Sequence, residues 1–218
     1  MKKQSKLTLS ALLAAAVVAG CATAAGPIDL DQLTAAIVKA SFRDEGIVKA
    51  SVLETDETNR ACSAADVAGT PLDEATANRL QEVNLKSIKW PSDGKFIGDW
   101  KEGEKLAQSG RGLTYSDTAQ TPNGGNCYNC HQIDKKEISF GTIGPSLYNY
   151  GKLRGISDDP KSPASIAIIE YTWGKIWNAK AYNACSNMPR AGHTGIMTEA
   201  QVRDLVGLLV DPKSPVNE

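Results

Sequence analysis

Apolar residues recur at helical spacing in several separated stretches of this chain. From Asp29 to about Gly46, the residues Leu30, Leu33, Ile37 and Phe42 share a face. Residues 50 to 67 are mixed and polar and give no clear period. Thr70-Pro71-Leu72-Asp73 opens a second helical stretch to about Leu85, since proline is tolerated near a helix start. Trp90-Pro91-Ser92-Asp93-Gly94 then breaks the pattern. From Asp99 to Ser109, closed by Gly110, Asp99 and Glu102 resemble a capping box, and Trp100, Gly103, Leu106 and Ala107 fall on one side. Gly103 would let another helix approach closely. Pro163 to Asn178 is expected to be helical through Ile166, Ile169, Trp173, Ile176 and Trp177. The last helix carries the capping box Thr198-Glu199-Ala200-Gln201, with Met197 before it able to pack on Val202. Val202, Leu205, Val206 and Leu209 form its buried face, and Asp211-Pro212 stops it. The pattern predicts an all-α chain.

Composition narrows the class. The 218 residues are 41% hydrophobic and 22% charged, with a net charge of −1. That is ordinary for a globular protein and carries no nucleic-acid footprint. Lys2, Lys3 and Lys6 precede a short apolar run from Leu7 to Ala19, the pattern of a secretory leader and too short for a membrane span. Two processing sites compete: Ala22-Thr23-Ala24 suits ordinary cleavage, and Val18-Ala19-Gly20-Cys21 resembles a lipobox that would leave Cys21 acylated. Ordinary release is favoured because the A-x-A site follows at once. Nothing later is apolar for long enough to span a membrane. The expected organisation is a leader over 1–24, an N-terminal extension over 25–94 and a compact domain over 95–218.

The chemistry lies in Cys127-Tyr128-Asn129-Cys130-His131. C-x-x-C-H is the attachment sequence of a c-type haem. Cys127 and Cys130 reach the two vinyl groups on one porphyrin edge, and His131 is carried beneath the ring as an iron ligand. A zinc ribbon would need a second Cys pair, and no other C-x-x-C exists here. One covalently attached haem c is therefore expected, in a chain exported to the periplasm. Pro145, in Gly144-Pro145-Ser146-Leu147, has a carbonyl on a rigid segment and is expected to orient His131 through its other ring nitrogen. For the sixth ligand the candidates are Met188, Met197, His193 and Cys185. Met197 already has a packing role, and His193 sits in a Gly-flanked loop. Met188 stands before Pro189, which forces it out of helical geometry, and it is the residue expected to bind iron opposite His131. Cys62 and Cys185 remain, and in an oxidising compartment a leftover pair reads first as a disulfide. The rival reading is a reactive thiol or soft iron ligand at Cys185. Such a bridge would fasten the extension to the region carrying Met188 and contribute about 2–5 kcal/mol.

Three blocks narrow the picture: Gly144-Pro145-Ser146-Leu147 followed by Tyr150-Gly151-Lys152-Leu153-Arg154-Gly155, the run from Trp177 to Arg190 that holds Asn183-Ala184-Cys185-Ser186-Asn187-Met188-Pro189-Arg190, and Leu208 to Asn217. Together they resemble the SoxX subunit of the SoxAX cytochromes, over roughly Trp100 to Asn217. The resemblance implies a periplasmic monohaem class I cytochrome c domain with crossed N- and C-terminal helices, whose haem residues are Cys127, Cys130, His131 and Met188. It implies a SoxA cytochrome partner, with which the chain forms an L-cysteine S-thiosulfotransferase. That enzyme couples thiosulfate oxidatively to a cysteine of the carrier SoxYZ and releases an electron pair. In such complexes the bond-forming site is assigned to the SoxA haem, and this subunit passes electrons to a soluble cytochrome c acceptor. No catalytic residue is expected on this chain. The extension matches no motif. A free-standing electron carrier is the alternative.

Overall fold

The structure is a computed structural model that describes residues 28–156 and 159–218. The expected leader, its A-x-A site and Cys21 lie outside the described residues. The chain divides into two compact units, one ending at Arg43 and the other running from Asp44 to Glu218. In the first, helix α1 (Leu30–Ser41) is capped by the Asp29 carboxylate, which accepts the Asp31 and Gln32 N–H groups at 3.0 Å. It stops at Phe42 rather than near Gly46, and it buries none of its own residues.

The second unit holds α2 (Glu57–Ala68), α3 (Glu74–Lys86), α4 (Trp100–Gln108), α5 (Tyr150–Arg154), α6 (Pro163–Trp177) and α7 (Glu199–Val210), with short 3-10 turns between them. Among the described residues there is no named strand, so the fold is all-α, as the periodicity implied. Helix α2 lies in the stretch that looked mixed and polar. Asp56 caps it by accepting the Asn59 N–H at 2.8 Å, and Gly69 closes it in the left-handed conformation. Only Thr58 of α2 is buried, so no apolar stripe existed for periodicity to detect. Helix α3 starts after the cap Asp73, whose carboxylate accepts the Thr76 N–H at 2.9 Å, two residues past Pro71.

Helices α4 and α7 form the crossed pair. The Gly98 N–H donates to Arg203 O and the Asp99 N–H to Asp204 Oδ1, both at 2.9 Å. A Cβ at Gly103 would overlap the Asp204 carbonyl, so α7 approaches α4 where the glycine allows it. The Asp99–Glu102 capping box is only half made. Asp99 accepts the Lys101 N–H at 2.8 Å, but Glu102 pairs with Lys105 at 2.7 Å. The box on α7 is complete: Gln201 Oε1 accepts the Thr198 N–H at 2.9 Å and Thr198 Oγ1 accepts the Gln201 N–H at 3.3 Å. Met197 and Val202 are both fully packed in the core. Each such apolar side chain contributes roughly 1.5–3 kcal/mol by leaving water.

The seam between compact units lies after Arg43, not at Gly94 as expected. Residues 44–94 pack onto the domain expected from residue 95. Trp173 Nε1 donates to Lys89 O at 3.0 Å, Asn178 Nδ2 donates to Asn84 Oδ1 at 2.9 Å, and Leu80 is fully buried. The Trp90-Pro91-Ser92-Asp93-Gly94 break is thus a turn within one unit, and the fixings that cross it come from residues distant in sequence.

Candidate functional site

Cys127–Asn129 forms a 3-10 turn entered through Asn126 in the left-handed conformation. The His131 N–H closes it onto Cys127 O at 2.9 Å. Cys127 and Cys130 are free thiols, and both line a cavity of about 540 Å³. Burial pushes the Cys127 thiol up to about 11, so it is neutral at physiological pH. The cavity walls are largely apolar: Ile133, Leu147, Ile176, Leu205, Leu208 and Leu209.

One wall is fixed by the segment the sequence singled out. His131 Nδ1 lies 2.7 Å from Pro145 O, an acceptor only, so Nδ1–H donates and Nε2 keeps its lone pair for a metal. The segment is pinned to the motif by Gly141 N–H to Tyr128 O at 2.8 Å, Gly144 N–H to Cys130 O at 2.7 Å and Leu147 N–H to Gln132 O at 2.7 Å. Gly144 has a steric role the sequence reading missed. A Cβ there would overlap the His131 imidazole.

The four candidates for the other side separate clearly. Cys185 is bonded to Cys62, with Cα atoms 5.4 Å apart, so it has no thiolate to offer. His193 turns to Ser87, its Nδ1 lying 3.1 Å from the Ser87 Oγ, and burial lowers its pKa, with Arg190 adding to the effect. Met188 and Met197 both line the cavity. Met197 is 2% exposed and lies in the core cluster, whereas Met188 is half-buried on an irregular loop packed against it.

Charged groups at the cavity were not foreseen. Arg154 and Lys175 line it. The Arg154 guanidinium lies over Tyr150 and Tyr171 at 4.7 and 5.0 Å, and burial lowers the Lys175 pKa. Two other cations near the motifs, Arg190 and Lys152, do not join them. Arg190 instead pairs with Asp56 at 2.6 Å, and Lys152 is exposed and not on the cavity wall. The aromatic residues of α6 divide likewise. Trp173 and Trp177 stack on each other at 5.6 Å, and it is Tyr171 that faces the cavity. Arg154 sits on a five-residue helix, so no periodicity pointed to it.

Two free thiols at the attachment spacing, an oriented imidazole, thioether sulfurs and apolar walls on one cavity suit a covalently bound haem. Cys127 and Cys130 would hold it by thioether bonds and His131 would bind its iron. Arg154 and Lys175 supply positive charge that would face carboxylates.

Comparison with known proteins agrees with this chemistry. The family described as Cytochrome c matches residues 101–211, about half of the chain. The chain is also 36% identical over 166 residues to a protein of Aquifex aeolicus (strain VF5) described as "Uncharacterized lipoprotein", which covers 75% of this chain and 73% of that protein.

Proposed function

Because this chain belongs to the cytochrome c family of electron-transfer haem proteins, we propose that it is the monohaem electron-relay subunit of a SoxAX-type complex that couples thiosulfate to a carrier cysteine. The observation that carries the relay role is the single cavity lined by His131, already oriented by Pro145, and by Met188. When bound, the haem supplies a one-electron ferric/ferrous couple. His131 and Met188 would hold the haem iron between them and leave no position for substrate, which would put thiosulfate chemistry on the partner subunit. Met188 would be the sixth ligand rather than Met197, because Met197 is 2% exposed and belongs to the buried core. The thioether favours ferrous iron and sets a higher potential than a second imidazole would.

The thiosulfate assignment is supported by the blocks at residues 150–155, 177–190 and 208–217. The chain would act within an L-cysteine S-thiosulfotransferase, beside a SoxA-type cytochrome, the SoxYZ carrier and a soluble cytochrome c acceptor. The relative's description as a lipoprotein supports acylation of Cys21 in an exported, membrane-tethered chain. Among the described residues no helix is long and apolar enough to cross a membrane. Mass spectrometry of the mature N-terminus distinguishes a lipid on Cys21 from cleavage after Ala24. Mixing the purified holoprotein with a SoxA-type cytochrome should give a stable heterodimer by light scattering. If both stay monomeric, the chain is a free-standing electron carrier.

A further inference from the structure

We propose that the Cys62–Cys185 disulfide and the Asp56–Arg190 ion pair are positioning residues that hold the Met188 thioether in place as an axial ligand. The proposal rests on the reading of Met188 as the sixth ligand. It assigns helix α2, which no sequence motif explained, the role of a brace.

The loop does not hold itself. Between Ala184 and Pro189, among the described residues, every hydrogen bond is local. The Cys185 N–H donates to Asn183 Oδ1 at 3.1 Å, the Ser186 N–H to Asn183 O at 3.0 Å and the Met188 N–H to Ser186 Oγ at 3.2 Å. Lys180 Nζ donates to Ala184 O at 3.1 Å from the adjoining turn. Pro189 has no N–H to add. A segment with so few fixings opens locally at low cost unless something distant restrains it.

Two restraints flank Met188, one on each side, and both end on α2 or its cap. Cys185, before Met188, is bonded to Cys62 across 123 residues of sequence. Arg190, after it, meets Asp56 at 2.6 Å. The Arg190 side chain is 11% exposed and that of Asp56 41%, so the pair is sheltered on the arginine side and partly solvated on the other. Asp56 is also the N-cap of α2, so the pair lands on a fixed point. The brace is rooted in turn. Asn84 Nδ2 donates to Thr58 Oγ1 at 3.0 Å, and Asn178 Nδ2 donates to Asn84 Oδ1 at 2.9 Å. These buried amides join α2 to α3 and to the start of the segment that leads to Met188. With Thr58 its only buried residue, α2 adds little to the core.

The test uses the full-length holoprotein and two spectroscopic readouts. One is the near-infrared band of a thioether bound to ferric iron; the other is the rate at which ferrous haem takes up carbon monoxide, which needs the sixth position vacated. The triple variant Cys62→Ser, Cys185→Ser, Asp56→Asn removes both restraints while Asn keeps the cap of α2. It should lose most of the band and bind carbon monoxide about tenfold faster, because the ligated population falls. Val216→Ala, in the core but off the cavity wall, should lower stability and leave both readouts unchanged. A triple variant with an intact band and unchanged carbon monoxide rate would overturn the proposal, as would equal losses in Val216→Ala. Met188→Ala is measured in parallel and should abolish the band. If the band survives in Met188→Ala, it is the ligand assignment that fails, separately from the brace.

Discussion

The two sides of the cavity are built in opposite ways. On the His131 side the fixings among residues 128–147 are short in sequence: the ring meets Pro145 O fourteen residues on, and the Gly141, Gly144 and Leu147 N–H groups return to residues 128–132. Longer ties flank them, where the Gly125 N–H meets Leu106 O before the motif and the Asn149 N–H meets Val216 O after it. On the Met188 side the fixings arrive from far away. The disulfide spans 123 residues, Ser87 meets His193 across 106, and Asn84 meets Asn178 across 94. The first side can form as a local unit, whereas the second forms only when the rest of the fold is in place. On the proposed ligand set, such a division would put His131 on largely self-supporting chain and Met188 on borrowed support.

Breaking the local side should have the largest effect. Gly144→Val drives a branched side chain into the imidazole and should abolish the low-spin six-coordinate absorption spectrum of the ferric protein, although Met188 is untouched. On the distant side, Cys62→Ser with Cys185→Ser should lower unfolding free energy by about 2–5 kcal/mol in urea titration, while His131 remains bound. Asp56→Asn should cost about 1 kcal/mol by the same measurement, since Asp56 itself is partly solvated. The smallest effect concerns His193. Burial, reinforced by Arg190 and opposed by Asp56, lowers its pKa below 6.5. As pH falls through 6.5 the unfolded chain takes up a proton that the folded chain resists. Stability from this group is therefore full above that value and declines below it. His193→Gln should flatten part of that decline in urea titrations on either side of pH 6.5. An unchanged slope would mean that the Ser87–His193 contact bears no load.

The same contrast explains what could be read from the sequence. Cys127, Cys130 and His131 lie within five residues, so their spacing conveyed the attachment motif, and Pro145, fourteen residues on, was legible from its rigid, donor-free carbonyl. The capping box at Thr198 and the close approach at Gly103 are likewise local rules, and both are present in the structure. Helix α2 was missed because it has no apolar stripe, and the seam after Arg43 was misplaced because polar and covalent bonds hold residues 44–94 to the domain. The Arg190–Asp56 pair was not legible either, since nothing near Arg190 in sequence names Asp56 as its partner. The cations on the cavity, Arg154 and Lys175, depend on how α5 and α6 face it, which is a tertiary fact.

The placement of the four cysteines beyond residue 28 has a consequence for how the chain matures. Synthesis from the N-terminus presents Cys62, then Cys127 and Cys130, and Cys185 last. The native bridge joins the outermost two and leaves the inner pair reduced. An oxidant acting on thiols in order of emergence would favour near neighbours, because a short loop closes with the least entropy loss. Bridging Cys127 to Cys130 would remove both sulfurs from thioether formation. The inner pair must therefore be occupied or kept reduced until Cys185 arrives, so that export of this chain demands protection of two thiols alongside oxidation of two others.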